Sequence, residues 1–276
     1  MPRSPVLRFL IVIAGVLVIA LASAWLWLDS LFEAPGTRTV PSVAGEVGAQ
    51  SVLAVFAHPD DEQSVTGLLI RARTRDGAVT RMITATRGEA GTPLPQVSRP
   101  GELGIIRHAE VLKNGWALGL EAQEVWDYPD GGLPDADYEI YVGRLMERMQ
   151  AWQPDLIVTF WPESGLSWHP DHRTAGRAAT EAVRRLRELD PDTAPRAIAY
   201  ILAPSRMMGR FGGERGRHVV ANQPAPNLQM PGEGWAKVRG WQIHASQRDY
   251  LRHAYGIPAE LLYALYDMEH YYVVEF

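Results

Sequence analysis

Two short stretches of this 276-residue chain place imidazoles beside carboxylates, Ala57-His58-Pro59-Asp60-Asp61-Glu62 and Trp168-His169-Pro170-Asp171-His172. Each contains His-Pro-Asp. The chain has no cysteine, which excludes a thiolate-ligated zinc, an iron–sulfur cluster, a disulfide framework and a cysteine nucleophile. Imidazole nitrogen with carboxylate oxygen suits a borderline divalent ion, zinc first. A catalytic zinc takes three protein ligands and keeps one position for water. Two ligands from one stretch and one from the other would satisfy it, leaving a carboxylate and an imidazole for proton transfer and charge stabilisation. A lone His-Pro-Asp reads equally well as a helix N-cap with a hydrogen-bonding histidine nearby. The duplication is what points to a metal. Pro59 and Pro170 each fix one φ angle and stiffen their loop.

Both stretches follow short apolar runs that read as buried strands, 51–57 and 155–160. Further strands are expected at 79–85, 125–128 and 197–202, with helices at 62–75, 102–120, 137–152 and 171–189. Strands alternating with helices of this length mean βαβ units and a mostly parallel sheet, whose ligands collect at the carboxyl ends of the strands. Both His-Pro-Asp loops fall at such ends. Residues 205–217, rich in Gly and Arg, read as a mobile loop. The four aromatics Tyr263, Tyr266, Tyr271 and Tyr272 read as C-terminal packing, with a sugar platform as the alternative.

The composition, 46% hydrophobic and 21% charged, is that of a folded chain, and a net charge of −5 gives no electrostatic case for nucleic acid. The apolar content is uneven. Residues 9–28 carry no charge, and twenty residues at about 1.5 Å each span the ~30 Å hydrocarbon core of a bilayer. Arg3 and Arg8 precede this segment and Asp29 and Glu33 follow it, so a single-pass anchor would leave residues 1–8 cytoplasmic and export the rest. Trp25 and Trp27 sit where an interfacial aromatic belt belongs. A secretory signal cleaved near Ala24, after Ala22-Ser23-Ala24, is the competing reading. Residues 29–50, with Pro35, Gly36 and Pro41, read as a tether to a domain at 51–276.

These motifs resemble the PIG-L/LmbE family of zinc-dependent N-deacetylases. AHPDDE at 57–62 and HPDH at 169–172 are similar to its two metal motifs. Thr86-Arg87-Gly88-Glu89-Ala90-Gly91, residues 103–110 (LGIIRHAE), Asp127-Tyr128-Pro129-Asp130-Gly131 and His244-Ala245-Ser246-Gln247 resemble further segments, so the likeness runs over roughly 50–250. It implies an LmbE-like, Rossmann-like α/β fold with helices flanking the sheet, here preceded by one transmembrane helix. It also implies Zn2+ held by His58, Asp61 and His172, with Asp60 as general base. His169, oriented by Asp171, would stabilise the oxyanion or assist the leaving amine, and Arg107, Glu89 and His244 would be substrate contacts. The implied reaction is removal of an acetyl group from an N-acetylglucosamine unit of a glycolipid or glycoside. Another linear amide or a carbamoyl group, or a non-catalytic envelope module with a retained metal, are the alternatives.

Several of these residues also admit plainer readings. Arg107 falls mid-helix, where it could be a solvated arginine paired with Glu110 three residues on. Glu62 is an acid that supports the metal ligands from behind or, as an early helical residue, only a complement to a helix dipole. His244 lines the pocket or lies on the surface. Arg206, Arg210, Arg215 and Arg217 meet a phosphate or an anionic lipid headgroup, or are merely solvated. Substrate choice is expected to reside in residues 92–100 and 205–234.

Overall fold

The five expected apolar runs form five adjacent strands, out to one edge, of one eight-stranded sheet in the computed structural model, which describes residues 5–99 and 101–276. Its strands are β1 (Arg38–Thr39), β2 (Ser51–Phe56), β3 (Val79–Thr86), β4 (Ala122–Tyr128), β5 (Leu156–Phe160), β6 (Ala197–Leu202), β7 (Leu228–Pro231) and β8 (Met268–Glu275). The spatial order is β1-β7-β8-β6-β5-β2-β3-β4. From β6 to β4 all pairings are parallel, whereas β8 runs antiparallel to both β6 and β7. The chain therefore builds outward from β2 through β3 to β4, then returns to the other side of β2 with β5. This reversal lies between β2 and β5, the two strands that lead into the His-Pro-Asp loops, and crevices at such points bind ligands in open α/β sheets.

β2 and β5 are buried on both faces and β5 is wholly so, which explains why they read as unbroken apolar runs. Phe56 and Phe160, the last residue of each, pack with ring centroids 5.0 Å apart beneath the loops. The helices Thr66–Thr74, Leu103–Leu118, Tyr138–Trp152 and Pro170–Leu189 cover the sheet. The last of these buries its alanine face (Ala175, Ala178, Ala179 and Ala182) and turns its arginines outward.

Three sequence expectations change. β1, β7 and β8 are additional strands; the aromatic C-terminus supplies β8, with Tyr271 fully buried and Tyr272 edge-on to Trp161. Residues 29–50 are not a tether. Leu31, Phe32, Val40, Val43, Ala44 and Ala49 are buried, and Arg38–Thr39 adds the edge strand β1. The Pro and Gly in this stretch mark tight turns in a chain that hugs the domain. Residues 205–217 are not a loose loop either. They form the helices Ser205–Phe211 and most of Gly213–Ala221. Their glycines allow close crossing, since a side chain at Gly216 would strike the Met208 carbonyl.

The uncharged segment forms a helix, Pro5–Ser30, slightly longer than the expected 9–28 and with none of its residues buried against the domain core. It is long and apolar enough to cross a membrane. Arg3, on which the sidedness expectation partly rests, lies outside the described residues. The helix runs into Leu31 and Phe32, which join Val238, Trp241, Leu251, Leu262, Tyr263 and Leu265 in a second apolar cluster.

Candidate active site

The first loop leaves β2 through a left-handed turn. Asp60 has φ 94°, a strained conformation for a residue with a side chain, and such strain concentrates at functional sites. The turn is secured from below by Glu62. This fully buried carboxylate accepts the Asp60 amide (3.0 Å), the Asn114 amide group (2.6 Å) and the His244 Nε2 proton (2.5 Å). Arg107 secures it from the side, donating to the carbonyls of Gly88 (2.8 Å) and Pro59 (2.5 Å) and to the Asp60 carboxylate (3.1 Å). A glycine is needed at 88 because its φ is +66° and any Cβ there would collide with the Arg107 guanidinium.

The second loop carries positive φ at Leu166 and Trp168 and delivers His169 as the N-cap of helix Pro170–Leu189. His172 lies in the first turn of that helix, its ring stacked on Phe160 (4.1 Å between centroids, 5° between planes).

Three ligand-type atoms converge between the loops. His58 Nδ1 lies 3.1 Å from His172 Nε2, which lies 3.1 Å from Asp61 Oδ1; His58 Nδ1 is 3.7 Å from the other Asp61 oxygen. The hydrogen-bond partners assign the protons. His58 Nε2 faces the carboxylates of Asp130 (3.0 Å) and Asp171 (3.2 Å), and His172 Nδ1 faces the Gly165 carbonyl (3.0 Å) and the Ser167 hydroxyl (3.0 Å). Each of those nitrogens must carry hydrogen, so neutral rings leave His58 Nδ1 and His172 Nε2 as lone pairs aimed at one another. Asp61 Oδ2 is occupied by the Ala57 and His58 amides, 3.1 and 2.7 Å away, which frees Oδ1 for the same point.

Lone pairs this close require positive charge between them, either a proton or a cation. Burial opposes charge on His58, but Asp130, Asp171 and Asp61 outweigh it and lift its pKa to about 10. Burial raises the Asp61 pKa, yet His172 and His58 more than reverse this and hold it well below the usual carboxylate range. For metal–ligand bonds of about 2.0–2.1 Å, tetrahedral ligand atoms lie roughly 3.3 Å apart. The two separations of 3.1 Å from His172 Nε2 lie close to this value, so the donor set present fits a zinc-like ion. Among the described residues, His58, His169 and His172 also cluster, as do His58, Asp130 and Asp171. The latter set uses the edge of His58 that needs its proton, which argues against a cation there.

Asp60 and His169 line the same cavity as these three residues. Burial pushes the Asp60 pKa up, Arg107 pulls it down and Asp61 pushes it up again, leaving it at about 6. His169 Nδ1 accepts the Asp171 amide (3.2 Å), so the neutral ring keeps its proton on Nε2. Burial, then the neighbouring His172 and His58, lower its pKa and favour that neutral form. The cavity is about 640 Å³ and is polar at the His58 end; Phe32, Met207, Trp241, Leu251, Leu262, Tyr263 and Tyr266 make its far wall apolar.

Of the remaining expected site residues, Arg107 lines the cavity and the others sit differently. The Asp171 carboxylate, fully buried, holds His58 and accepts the Gly131 amide (2.8 Å); it does not orient His169, which meets only the Asp171 backbone. Arg107 is neither solvated nor paired with Glu110, which accepts instead from the Ser246 amide and hydroxyl, 2.8 and 2.6 Å away. Glu89 is exposed, does not line the cavity, and accepts the Asp130 amide (2.9 Å). His244 is buried behind Glu62 rather than in the cavity wall. Of the expected specificity stretches, Thr92, Leu94, Met207, Met208 and Arg215 reach the cavity, while Pro100 lies outside the described residues. Asp130 is an addition. It lines the cavity and grips His58, and the one sequence signal for it was its place in the Asp-Gly turn at 130–131.

Residues 53–183 match the profile of PIG-L, described as GlcNAc-PI de-N-acetylase. The chain carries a PIG-L family domain. This domain is similar to a 1D-myo-inositol 2-acetamido-2-deoxy-alpha-D-glucopyranoside deacetylase of Corynebacterium urealyticum, 31% identical over 75% of this chain and 65% of the relative. It is also similar to a probable N-acetyl-alpha-D-glucosaminyl L-malate deacetylase 2 of Bacillus cereus, 31% identical over 49% of this chain and 61% of the relative. The chain thus spans less than two thirds of the length of either. Among solved structures, the N,N'-diacetylchitobiose deacetylase of Pyrococcus horikoshii shares the fold of the PIG-L domain, with TM-score 0.64 and 20% identity over 84% of this chain and 86% of that one. The 4-carboxy-2-hydroxymuconate hydratase GalB of Pseudomonas putida shares it too, with TM-score 0.58 and 17% identity over 82% and 96%. The fold alone therefore does not specify the reaction.

Proposed function

We propose that this chain is a Zn2+-dependent N-deacetylase that releases acetate from an N-acetylglucosamine-type unit of a glycolipid or glycoside. The reading is carried by the convergence of His58 Nδ1, Asp61 Oδ1 and His172 Nε2 in a cavity that also holds Asp60 and His169. These three atoms would hold the ion, which when bound polarises the amide carbonyl and brings the pKa of a water to about 7. Asp60, kept in place by Arg107 and the Glu62-anchored turn, takes the proton from the attacking water and returns it to the departing amine. His169 donates its Nε2 hydrogen to the carbonyl oxygen as negative charge develops there. The names of the two relatives support an amino-sugar substrate. The apolar far wall supports a hydrophobic aglycone.

The helix Pro5–Ser30 is read as a single-pass anchor with a cytoplasmic N-terminus and the catalytic domain on the other side, since Arg8 precedes its uncharged stretch 9–28 and Asp29 and Glu33 follow that stretch. The activity is tested with the full zinc-loaded chain and a panel of N-acetylglucosamine conjugates, by release of free amine. Asp60→Asn should keep its zinc and lose turnover by about 10²–10⁴-fold, the range for a positioned general base. Full turnover in that variant would remove Asp60 from its role. A zinc-bound parent chain silent across the panel would shift the reading to a non-catalytic module.

A further inference from the structure

The helical pair at 205–221 packs on the last turn of the apolar helix. Phe211 meets Trp27 edge-on, with ring centroids 6.2 Å apart. The Arg210 guanidinium stands 5.5 Å from the Trp27 ring and 5.8 Å from the Phe211 ring. Arg206 Nη1 donates to the Ser30 carbonyl (3.1 Å), and the Met207 amide donates to the Leu31 carbonyl (3.1 Å).

These contacts set a depth. In a spanning helix that ends at Ser30, Trp25 and Trp27 lie in the interfacial belt, where amphipathic rings favour the headgroup level. A ring packed against Trp27 lies at that same level. Phe211 is 55% exposed in the structure and Trp27 is 47% exposed, so apolar surface faces outward at this depth. Around it are Arg206, Arg210, Arg215 and Arg217, all exposed, against one carboxylate in the pair, Glu214. An aromatic at the acyl boundary with arginines at phosphate level is the make-up of a segment that lies in the interface.

We propose that the 205–221 helical pair is a second membrane contact, with Phe211 seated beside Trp27 at the headgroup–acyl boundary and Arg206 and Arg210 on anionic lipid headgroups of the same leaflet. This rests on reading Pro5–Ser30 as membrane-spanning. The contact holds the domain so that Met207 and Met208, on the same short helix and in the cavity wall, lie next to the leaflet. An amphiphile's chain then has a short path from the bilayer to the cavity.

The absence of native cysteine makes any introduced one unique. Nitroxides are placed singly at Phe211→Cys, at Val18→Cys within the apolar helix, and at Leu189→Cys, which is 71% exposed at the far end of helix Pro170–Leu189. The full chain is reconstituted in phosphatidylcholine vesicles with or without phosphatidylglycerol, and collision with oxygen is compared with collision with a water-soluble nickel chelate. The oxygen preference at 211 should exceed that at 189 severalfold, approach that at 18, and grow with phosphatidylglycerol. Adding Arg206→Gln and Arg210→Gln should abolish that growth. A label at 211 as water-exposed as 189, with 18 in lipid, overturns the proposal while leaving the anchor intact. Water exposure at 18 as well overturns both. A 211 label in lipid but indifferent to phosphatidylglycerol overturns the headgroup assignment.

Discussion

Asp130 meets His58 through a carboxylate oxygen 3.0 Å from Nε2, on the edge of the ring opposite the converging atoms. The Ala90 amide fixes the other Asp130 oxygen at 2.9 Å. This contact keeps the hydrogen on Nε2 and the lone pair on Nδ1, the tautomer that a metal requires. Asp130→Ala should weaken zinc affinity by about 10–100-fold, as loss of such supporting partners generally does. Asp130→Asn, whose amide oxygen still accepts, should lose less. Competition with a chromophoric chelator measures both. Parent affinity in the alanine variant would mean that Asp171, 3.2 Å away on the same edge, suffices alone.

His169 tests the division of labour between ligands and catalyst. Its Nδ1 is taken by the Asp171 amide, so its free edge is a donor, not a lone pair. His169→Ala should therefore leave zinc content unchanged while kcat falls by about 10²–10³-fold, the usual cost of removing one oxyanion donor. Metal analysis and turnover on the same preparation separate the cases. Loss of zinc would turn His169 into a ligand and sink the donor role.

The parts legible in the sequence were those that local pattern encodes. β2 and β5 are unbroken apolar runs because both faces are covered, and the residues after them carry the titratable groups; together these told both what converges and why it could. Pairings across long separations left no local trace. Glu62 and His244 are 182 residues apart, and neither an early helical glutamate nor a lone histidine announces a buried partner. Residues 205–217 read as a loose loop because of their glycine and arginine content. In the structure the glycines serve close helix crossing and the arginines the outer face. Residues 29–50 looked like a linker for a similar reason, since small residues dominate between the buried Leu31, Phe32, Val40 and Val43.

The Glu62–His244 pair yields a stability prediction. Burial alone would lower the His244 pKa, but Glu62 at 2.5 Å outweighs it and raises it; burial raises the Glu62 pKa, and His244 with Asn114 brings it below the usual value. The two are held as a charged pair in a site closed to water. His244→Ala leaves a buried carboxylate short of its cation, which costs about 3–5 kcal/mol for pairs of this kind. Urea denaturation should show that loss. The residual enzyme should keep its KM, because His244 does not line the cavity. A raised KM at unchanged stability would restore the substrate-contact reading.

His270 supplies the pH prediction, and it lies on β8, away from the metal ligands. It is buried and its Nε2 finds no partner among the described residues. Burial first, then the positive charge of Lys237, lower its pKa from the ordinary 6.5 to about 4. The unfolded chain thus binds a proton in the window between these values while the folded chain does not, so stability falls as pH drops through the window. A shift of that size corresponds to a loss on the order of 3 kcal/mol by pH 4. His270→Phe removes the titration and keeps an aromatic ring beside Tyr266, whose centroid is 6.0 Å away. Urea midpoints measured from pH 7 to pH 4 should decline less steeply for the variant than for the parent, with the curves diverging below about pH 6.5. Parallel curves would show that His270 takes up its proton without cost to the fold, and that Lys237, fixed to Glu269 at 2.7 Å, does not repel it.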